Sequence, residues 1–180
     1  IFVGLMSRTF GFLTDTALPD IWVMDDKVQF IDDIKPLQDT ELYRVRSVEG
    51  VEWAVPLYKG LLKARLSNGN FQTCNVIGLD DATLIGGPPA MLQGTLADLR
   101  RSESVIVDHV GAAGKLAKIL PDGRRVPIKI GDTLELNDHR AVVVGICRVM
   151  RTFQSQPVLY TTYSRATTFA PQERKQLSFI

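Results

Sequence analysis

The apolar residues of this chain recur at two spacings: every second residue in some stretches, and every third or fourth in others. The first alternating stretch places four apolar residues on one face: Val51, Trp53, Val55 and Leu57. Beyond Gly60 the apolar positions change face, to Leu62, Ala64 and Leu66. Alternation predicts a half-buried strand, and a change of face at a glycine predicts a bulge or bend in one long strand.

Two turn signals predict antiparallel hairpins. Asn68 and Gly69 follow the long strand and tolerate the positive φ of a two-residue primed turn, so residues 71–79 are predicted to return beside it. Residues 133–136 also alternate, residues 137–139 form a polar turn, and residues 141–149 return. Because the returning stretch is apolar at nearly every position, we expect it to be covered on both faces.

Short apolar runs bounded by polar residues predict further strands, over residues 20–25, 105–107, 158–160 and 177–180. Helical spacing and capping residues predict short helices between the strands. They cover residues 39–50 with Leu42, Val45 and Val48 on one face, residues 95–99 with Thr95 and Asp98 as caps, and residues 111–119 and 164–169. Strands interleaved with short helices predict an α+β fold with mixed sheets, in two lobes.

The composition is that of a globular protein. Of its 180 residues 45% are hydrophobic and 23% are charged, and the net charge is +1, so neither disorder nor a nucleic-acid partner is expected. The longest apolar run, residues 141–147 with Gly145 included, is far shorter than the about 20 residues that span a bilayer. Residues 1–13 carry apolar side chains along roughly one helical face and lack signal-peptide features, which predicts an amphipathic helix.

The cysteines and the glycine-rich run fit no metal-binding or phosphate-binding pattern. Cys74 and Cys147 lie alone in apolar stretches, which predicts buried thiols; a disulfide is the alternative and requires an oxidising compartment. The run over residues 111–116 has two residues between its glycines where a phosphate-binding loop has four, and Leu116 replaces the hydroxyl residue of that loop. We interpret this run as a helix start packed closely against a sheet.

The titratable residues predict no active site. A general base needs a nucleophile and an orienting partner within hydrogen-bond reach, whereas His109 follows Asp108 at a predicted strand end and His139 follows Asp138 in a predicted turn. Pairs of carboxylates could hold a hard cation if their loops met, but turns use aspartate commonly. These pairs are interpreted as solvated turn residues: Asp25 and Asp26, Asp32 and Asp33, and Asp80 and Asp81. We therefore predict no catalytic residue, no cofactor site and no metal site.

The order of short motifs between residues 94 and 149 resembles the periplasmic core domain of MacB-type ABC transporter permeases. The motifs are GTLADLR at residues 94–100, SVIVD at 104–108, GKLA at 114–117, IGDTLEL at 130–136 and VVVGI at 142–146. Flanking stretches at residues 17–24, 50–56 and 154–158 resemble the DevC subgroup, whose permeases work with a periplasmic adaptor of the DevB or HlyD kind. Thr95 and Leu96 replace the family's usual arginine and aromatic residue, a departure that concerns the contacts of one turn.

The resemblance implies a MacB-like domain inserted between the first and second transmembrane helices of a permease subunit, on the periplasmic side of the inner (plasma) membrane. Residues 1–16 would then be an amphipathic helix continuing from a transmembrane helix. Residues 17–85 and 150–180 would form a first α+β lobe, and residues 86–149 a second lobe with a hairpin over residues 126–149. The chain opens at Ile1 without a methionine and stops in an apolar run, so we expect a longer polypeptide.

The function implied by the resemblance is mechanical. ATP hydrolysis would reside in a separate or fused ATPase, so this domain would not be an enzyme. It would pair with a second copy and transmit the ATP-driven motion to a periplasmic adaptor, and through it to an outer-membrane channel, in efflux or secretion. The alternatives are an extracytoplasmic ligand-binding or sensor module, which needs an apolar pocket near Trp22 and Trp53, and a small enzyme using His109 or His139. The sequence does not identify the residues of an adaptor or dimer interface.

Overall fold

The computed structural model describes residues 15–16, 18–29, 33–150, 155–171 and 176–180. Within those ranges its helices are α1 (Asp39–Arg46), a 3-10 helix (Leu96–Arg100), α2 (His109–Ala113) and α3 (Tyr163–Phe169). Its strands are β1 (Tyr58–Arg65), β2 (Phe71–Leu79), β3 (Ala90–Gln93), β4 (Ser104–Asp108), β5 (Lys118–Ile119), β6 (Arg125–Val126), β7 (Thr133–Leu136), β8 (His139–Arg148) and β9 (Val158–Thr162).

Six of these strands close into a ring, in the order β8, β4, β9, β2, β1 and β7. The main sheet has the order β3-β8-β4-β9-β2-β1-β7, and β7 pairs with β8 as well as with β1. Both pairings of β7 are antiparallel, whereas β2 with β9 and β4 with β8 are parallel. Strand β3 extends the sheet beyond β8, and β5 and β6 form a separate hairpin. The prediction of an α+β chain with a mixed sheet and short helices is confirmed.

The central strands are buried on both faces, because successive side chains alternate between two apolar clusters. One cluster combines the ring strands with α2 and α3: Leu62, Cys74, Val76, Val107, Val143, Leu159, Ala112 and Phe169. The other lies on the opposite face and includes the C-terminal segment: Leu57, Ile77, Leu79, Ile106, Val144, Cys147, Tyr160 and Phe179. Strand β8 contributes to both clusters, which confirms that the returning strand of the second predicted hairpin is covered on both sides.

Helix α3 packs directly on β2 at a glycine. A Cβ atom built on Gly78 would lie 2.5 Å from the Cβ of Ala166 and 3.2 Å from the Cα of Tyr163, so only glycine permits this approach. The carboxylate of Asp81 accepts a 2.9 Å hydrogen bond from the Ser164 hydroxyl in the first turn of α3. The helical turn predicted near residues 164–169 is therefore confirmed, and it is fixed to the sheet at both points.

Both predicted hairpins are present, but the primed turn belongs to the second one. Asn137 and Asp138 have φ values of 45° and 65° between β7 and β8, as a two-residue primed turn requires. Between β1 and β2, Gly69 has a φ of 83° whereas Asn68 does not lie in that region. There Leu66 donates a 2.8 Å hydrogen bond to the Asn70 carbonyl, which gives a longer loop than predicted.

Three stretches predicted to be strands are extended segments instead. Residues 20–25 pair only through Val23, which exchanges two backbone hydrogen bonds with Ile180, and residues 51–57 contribute a single bridge from Leu57 to Phe179. Residues 177–180 meet the rest of the chain at isolated bridges. Each segment finds a partner at single residues rather than along a run, so no ladder forms. The predicted face of residues 51–57 is only partly confirmed, because Leu57 is buried as expected whereas Trp53 is 44% exposed and Ala54, on the other face, is buried.

Two further predictions are wrong in detail. No bulge occurs at Gly60, since β1 pairs with β2 continuously from Tyr58 to Arg65; the apolar pattern changes because the start of β1 is buried on both faces and its end on one. The helix predicted over residues 111–119 ends at Ala113, because Gly114 has φ −111° and ψ −100°, outside the helical region. Residues 118–119 form β5 instead.

The other short helices are confirmed with small changes. The cap of α1 is Gln38 rather than Asp39 or Thr40, and this helix ends at Arg46, before Gly50. Thr95 and Asp98 form the predicted capping box of the 3-10 helix, with the Thr95 backbone N–H 2.8 Å from the Asp98 carboxylate.

The division into two lobes is not confirmed by the sheet. Strands from both predicted lobes lie in it, with β1, β2 and β9 beside β3, β4, β7 and β8. The predicted N-terminal helix falls outside the described residues except for Asp15 and Thr16. Within the described ranges, none of the helices has the length and hydropathy that crossing a bilayer requires.

Candidate functional site

The N-terminal and C-terminal segments meet at the start of β1, in a region that we call the terminal junction: Val23, Leu37, Leu57 and residues 177–180. Val23 donates a 2.8 Å hydrogen bond to the Ile180 carbonyl and accepts one of 3.0 Å from its N–H. Leu57 exchanges hydrogen bonds with Phe179 in the same manner, at 2.8 Å and 3.0 Å. The segment around Val23 and the start of β1 therefore both lie beside the C-terminal segment in antiparallel orientation.

Apolar packing fixes the terminal junction to the ring. Phe179 is fully buried, and the Trp22 ring packs edge-on against it with the centroids 5.8 Å apart. Ser178 adds a buried polar contact, because its hydroxyl accepts a 2.9 Å hydrogen bond from the Lys59 N–H and donates one of 3.0 Å to the Lys59 carbonyl. The C-terminal segment is thus held by both side chain and backbone.

A buried carboxylate ties the N-terminal segment to the end of β8. The carboxylate of Asp15 accepts a 2.6 Å hydrogen bond from the Met150 N–H. Burial raises the pKa of Asp15 above its ordinary value, although that hydrogen bond acts to lower it. Close by in sequence, Leu18 and Ile21 are 73% and 76% exposed, so the N-terminal segment presents apolar side chains outward.

At the other end of β1 the structure forms a cavity of about 640 Å³, which we call the distal cleft. It lies between the β1–β2 loop, the β5–β6 hairpin and the β7–β8 hairpin. Buried apolar side chains form its floor, from Leu116, Ile128 and Leu134, and cationic side chains stand around it, from Arg65, Lys118 and Arg140. At about 3.3 Å per residue, the eight residues of β1 place the cleft roughly 23 Å from the terminal junction.

The chain around the distal cleft is strongly basic. Residues 115–129 contain five basic residues and one acidic residue, a net charge of +4, in a protein whose net charge is +1. Lys118 pairs with Asp132 at 2.5 Å, and Arg65 pairs with Glu135 at 3.5 Å. Although burial acts to raise it, the hydrogen bonds from Lys118 and from the Lys129 N–H lower the pKa of Asp132.

The two cysteines are free and buried on opposite faces of the sheet. Cys74 belongs to the cluster with α2 and α3, and Cys147 belongs to the cluster with Phe179. Burial, assisted by the negative charge of Asp108, raises the pKa of each thiol to about 12. The prediction of two buried thiols is confirmed, and the disulfide alternative is not.

The structure places the two histidines in different settings. His109 is the first residue of α2, and His139 is the first residue of β8, where its ring lies 6.0 Å from that of Phe169. Both are exposed. Neither imidazole has a hydrogen-bonding partner among the residues that the structure describes, so the structure shows no base held beside a nucleophile.

Asp108 has a structural role that the sequence did not predict. Its buried carboxylate accepts hydrogen bonds from the Gly111 N–H and the Val158 N–H, both at 2.8 Å. It thereby caps α2 and ties that helix to the start of β9. This carboxylate occupies the start of the glycine-rich helix, the position at which a phosphate-binding loop holds its anion.

Several of the paired carboxylates serve turns, as predicted, whereas Asp81 binds the first turn of α3 through Ser164. Asp80 accepts hydrogen bonds from the backbone and hydroxyl of Thr83, at 2.9 Å and 2.8 Å, and Asp25 accepts one of 2.9 Å from the Lys27 N–H. Asp32 lies outside the described residues. Among the residues that are described, no group of His, Cys, Asp or Glu could hold a metal ion.

The sensor alternative expects a pocket near Trp22 and Trp53, whereas the three cavities described for the chain are lined by other residues. Smaller cavities of about 220 and 310 Å³ lie beside α2 and beside α3. Neither these cavities nor the distal cleft is lined by Trp22 or Trp53. Sequence reasoning missed the distal cleft, although the five basic residues over 115–129 were a signal available in the sequence.

Comparisons with known proteins find similarity at the level of structure. No protein-family model matches the chain, and no curated protein matches it in sequence. The extracellular domain of the noncanonic ABC-type transporter YknZ from Gram-positive bacteria matches with a TM-score of 0.52 and 12% identity, over 80% of this chain and 71% of that one.

Two further solved structures match at lower TM-scores. The periplasmic region of MacB from Actinobacillus actinomycetemcomitans has a TM-score of 0.49 at 18% identity, over 75% of this chain and 59% of that one. A domain of a putative permease protein from Porphyromonas gingivalis matches with a TM-score of 0.48 and 14% identity, over 79% of this chain and 56% of that one. The match thus spans less than two thirds of these last two chains. The chain shares its fold with the extracellular domain of the ABC-type transporter YknZ, and the sequence resemblance to permease domains of this kind is confirmed at the level of fold.

Proposed function

We propose that this chain is the extracytoplasmic domain of an ABC exporter permease and that it transmits ATP-driven motion to a periplasmic adaptor. The observation that carries the proposal is the terminal junction, considered with the fold. In a domain inserted into a membrane protein, the segments that lead from and back to the membrane lie close together, and the segments that contain Val23 and Ile180 are joined by two backbone hydrogen bonds. The fold shared with the extracellular domain of YknZ supports the same placement.

The construction of the ring supports a mechanical role. The strands close into a ring whose central members are buried on both faces, and close-packed interiors deform little and transmit strain. Movement of membrane helices attached at the terminal junction would therefore displace the domain as one body, as in hinge and shear motions of domains.

The proposed partners follow from this role. ATP would be hydrolysed by a separate ATPase subunit or domain, and a second copy of the permease would complete a homodimer. The adaptor would receive the motion outside the inner membrane and connect to an outer-membrane channel. In this arrangement the domain itself has no catalytic role.

Cysteine labelling of the whole parent polypeptide in intact cells tests the placement. Ser102 is exposed, whereas both native thiols of this domain are buried with pKa values of about 12, so Ser102→Cys would provide a single reactive thiol in a parent whose cysteines outside this domain are replaced by serine. We expect a maleimide that does not cross the inner membrane to label this variant and not the same parent with Ser102 retained. Labelling of the variant only after the inner membrane is broken would contradict the proposal.

A further inference from the structure

We propose that the distal cleft is the docking site for an acidic protein segment that also carries apolar side chains. The inference deepens the proposed function and rests on it, since under that function such a segment would belong to the adaptor. Two features of the cleft specify the ligand: a floor of buried apolar side chains and a border of cations.

The apolar floor requires a partner that can fill it. Leu116, Ile128 and Leu134 are each at most 6% exposed within the chain, yet they line a cavity of about 640 Å³, a volume typical of ligand sites. A side chain of leucine size entering this space would remove its own apolar surface from water, which favours binding.

The border of the cleft provides cations that a partner's carboxylates can reach. Arg65 and Arg140 face Glu135 and Glu103 at 3.5 and 3.6 Å, with side chains that are 41–65% exposed. Exposed pairs of this kind contribute little to the stability of a protein, because water and salt screen them. Their exchange for carboxylates of a partner would therefore be nearly neutral in energy, and arginine can bind a carboxylate with two hydrogen bonds.

Two further cations next to the cleft are at most partly compensated, since Lys129 interacts electrostatically with Asp132 but forms no ion pair with it. Arg125 on β6 and Lys129 are exposed, and neither forms an ion pair with another described residue. The nearest compensating charges are already engaged, because Asp122 binds Arg124 at 2.6 Å and Asp132 binds Lys118 at 2.5 Å. The positive charge here is thus available to a partner.

The position of the cleft selects a protein partner over a lipid surface or a second copy. The acidic part of the chain, residues 15–52 with ten acidic and four basic residues, includes the N-terminal side of the terminal junction, roughly 23 Å from the cleft. That separation exceeds the screening length of about 8 Å at physiological salt.

If the junction faces the bilayer, the cleft faces away from it. Two copies anchored in one membrane then cannot place the acidic end of one on the basic end of the other.

Binding of a defined probe tests the inference on this chain. The probe is a fluorescein-labelled peptide of twelve residues, ten glutamates and two leucines, and its matched control replaces every glutamate by glutamine. The test variant is Arg125→Glu with Lys129→Glu. The control variant, Lys27→Glu with Arg101→Glu, changes the net charge equally at exposed positions outside the cleft.

We expect the test variant to weaken peptide binding at least about tenfold at low salt, and the control variant by less than about threefold, with the difference shrinking at high salt. If the reversed charges disturb folding, the milder variant Arg125→Gln with Lys129→Gln replaces the test variant. It should still bind the peptide more weakly than the control variant does. Equal weakening by test and control variants would overturn the inference. Binding of the chain to phosphatidylglycerol vesicles but not to the peptide would also overturn the inference. Equal binding of the glutamate peptide and the glutamine peptide would do the same. The Ser102→Cys labelling result does not depend on these outcomes, so failure of the cleft and failure of the proposed function are distinguishable.

Discussion

Replacement of Phe179 by alanine would remove the central side chain of the terminal junction while leaving its backbone hydrogen bonds possible. Phe179 is fully buried in the cluster with Leu57, and the Trp22 ring packs against it at 5.8 Å. Truncation of a buried phenylalanine costs about 3–5 kcal/mol, of which the edge-on ring pair accounts for about 0.5–1.5 kcal/mol. For a chain of this size we expect the melting temperature to fall by about 6–20 °C.

Urea unfolding followed by tryptophan fluorescence measures this loss. Trp22 and Trp53 are the two tryptophans of the chain, and Trp53 is already 44% exposed. A red shift in the folded emission of Phe179→Ala would therefore report on Trp22. The matched control is Phe71→Ala, at a side chain that is 63% exposed, where we expect a change within about 0.5 kcal/mol. A loss below about 1 kcal/mol for Phe179→Ala, or equal losses for both variants, would refute the packing account of the junction.

Three further outcomes follow from buried groups elsewhere. Gly78→Ala should destabilise the fold by about 1–3 kcal/mol in urea unfolding, because the new methyl group would meet Ala166 at 2.5 Å. Burial raises the folded-state pKa of Asp15 above the unfolded value of 3.8. Ionisation of Asp15 therefore lowers the stability of the fold as the pH rises through the folded pKa. The variant Asp15→Asn should be as stable as the natural protein near pH 3 and more stable than it at pH 7. Cys74 and Cys147, with pKa values of about 12, should resist maleimide at pH 7.5 in the folded chain and react in urea; labelling of the folded chain would contradict their placement.

The sequence predicted those elements whose signals are local. The alternation of residues 133–136, the polar turn after it and the apolar return of residues 141–149 all reflect neighbours in the sequence, and β7 and β8 form there. The capping box of Thr95 and Asp98 is equally local and is present. Local rules could therefore place hairpins and short helices without knowledge of the rest of the fold.

The features that failed depend on contacts between distant parts of the chain. Val51 to Leu57 alternate like a strand, but a strand needs a partner along its length, and only Leu57 finds one, in Phe179. Closure of the ring depends on β7 pairing with both β1 and β8, which no spacing within β7 encodes. The distal cleft arises from the same closure, so its cations appeared in the sequence as scattered loop residues.

Under the proposed function, the domain moves as one stiff body when ATP is used. Paired spin labels in the full transporter test this motion. Ser102→Cys alone gives the distance between two copies of the permease, and Ser102→Cys with Asn70→Cys, both at exposed positions, gives a distance inside one domain when labelled copies are diluted with unlabelled ones. We predict that trapping the ATP-bound state changes the distance between copies and leaves the distance inside the domain unchanged. An unchanged distance between copies in a transporter that hydrolyses ATP, or a changed distance inside the domain, would contradict the account.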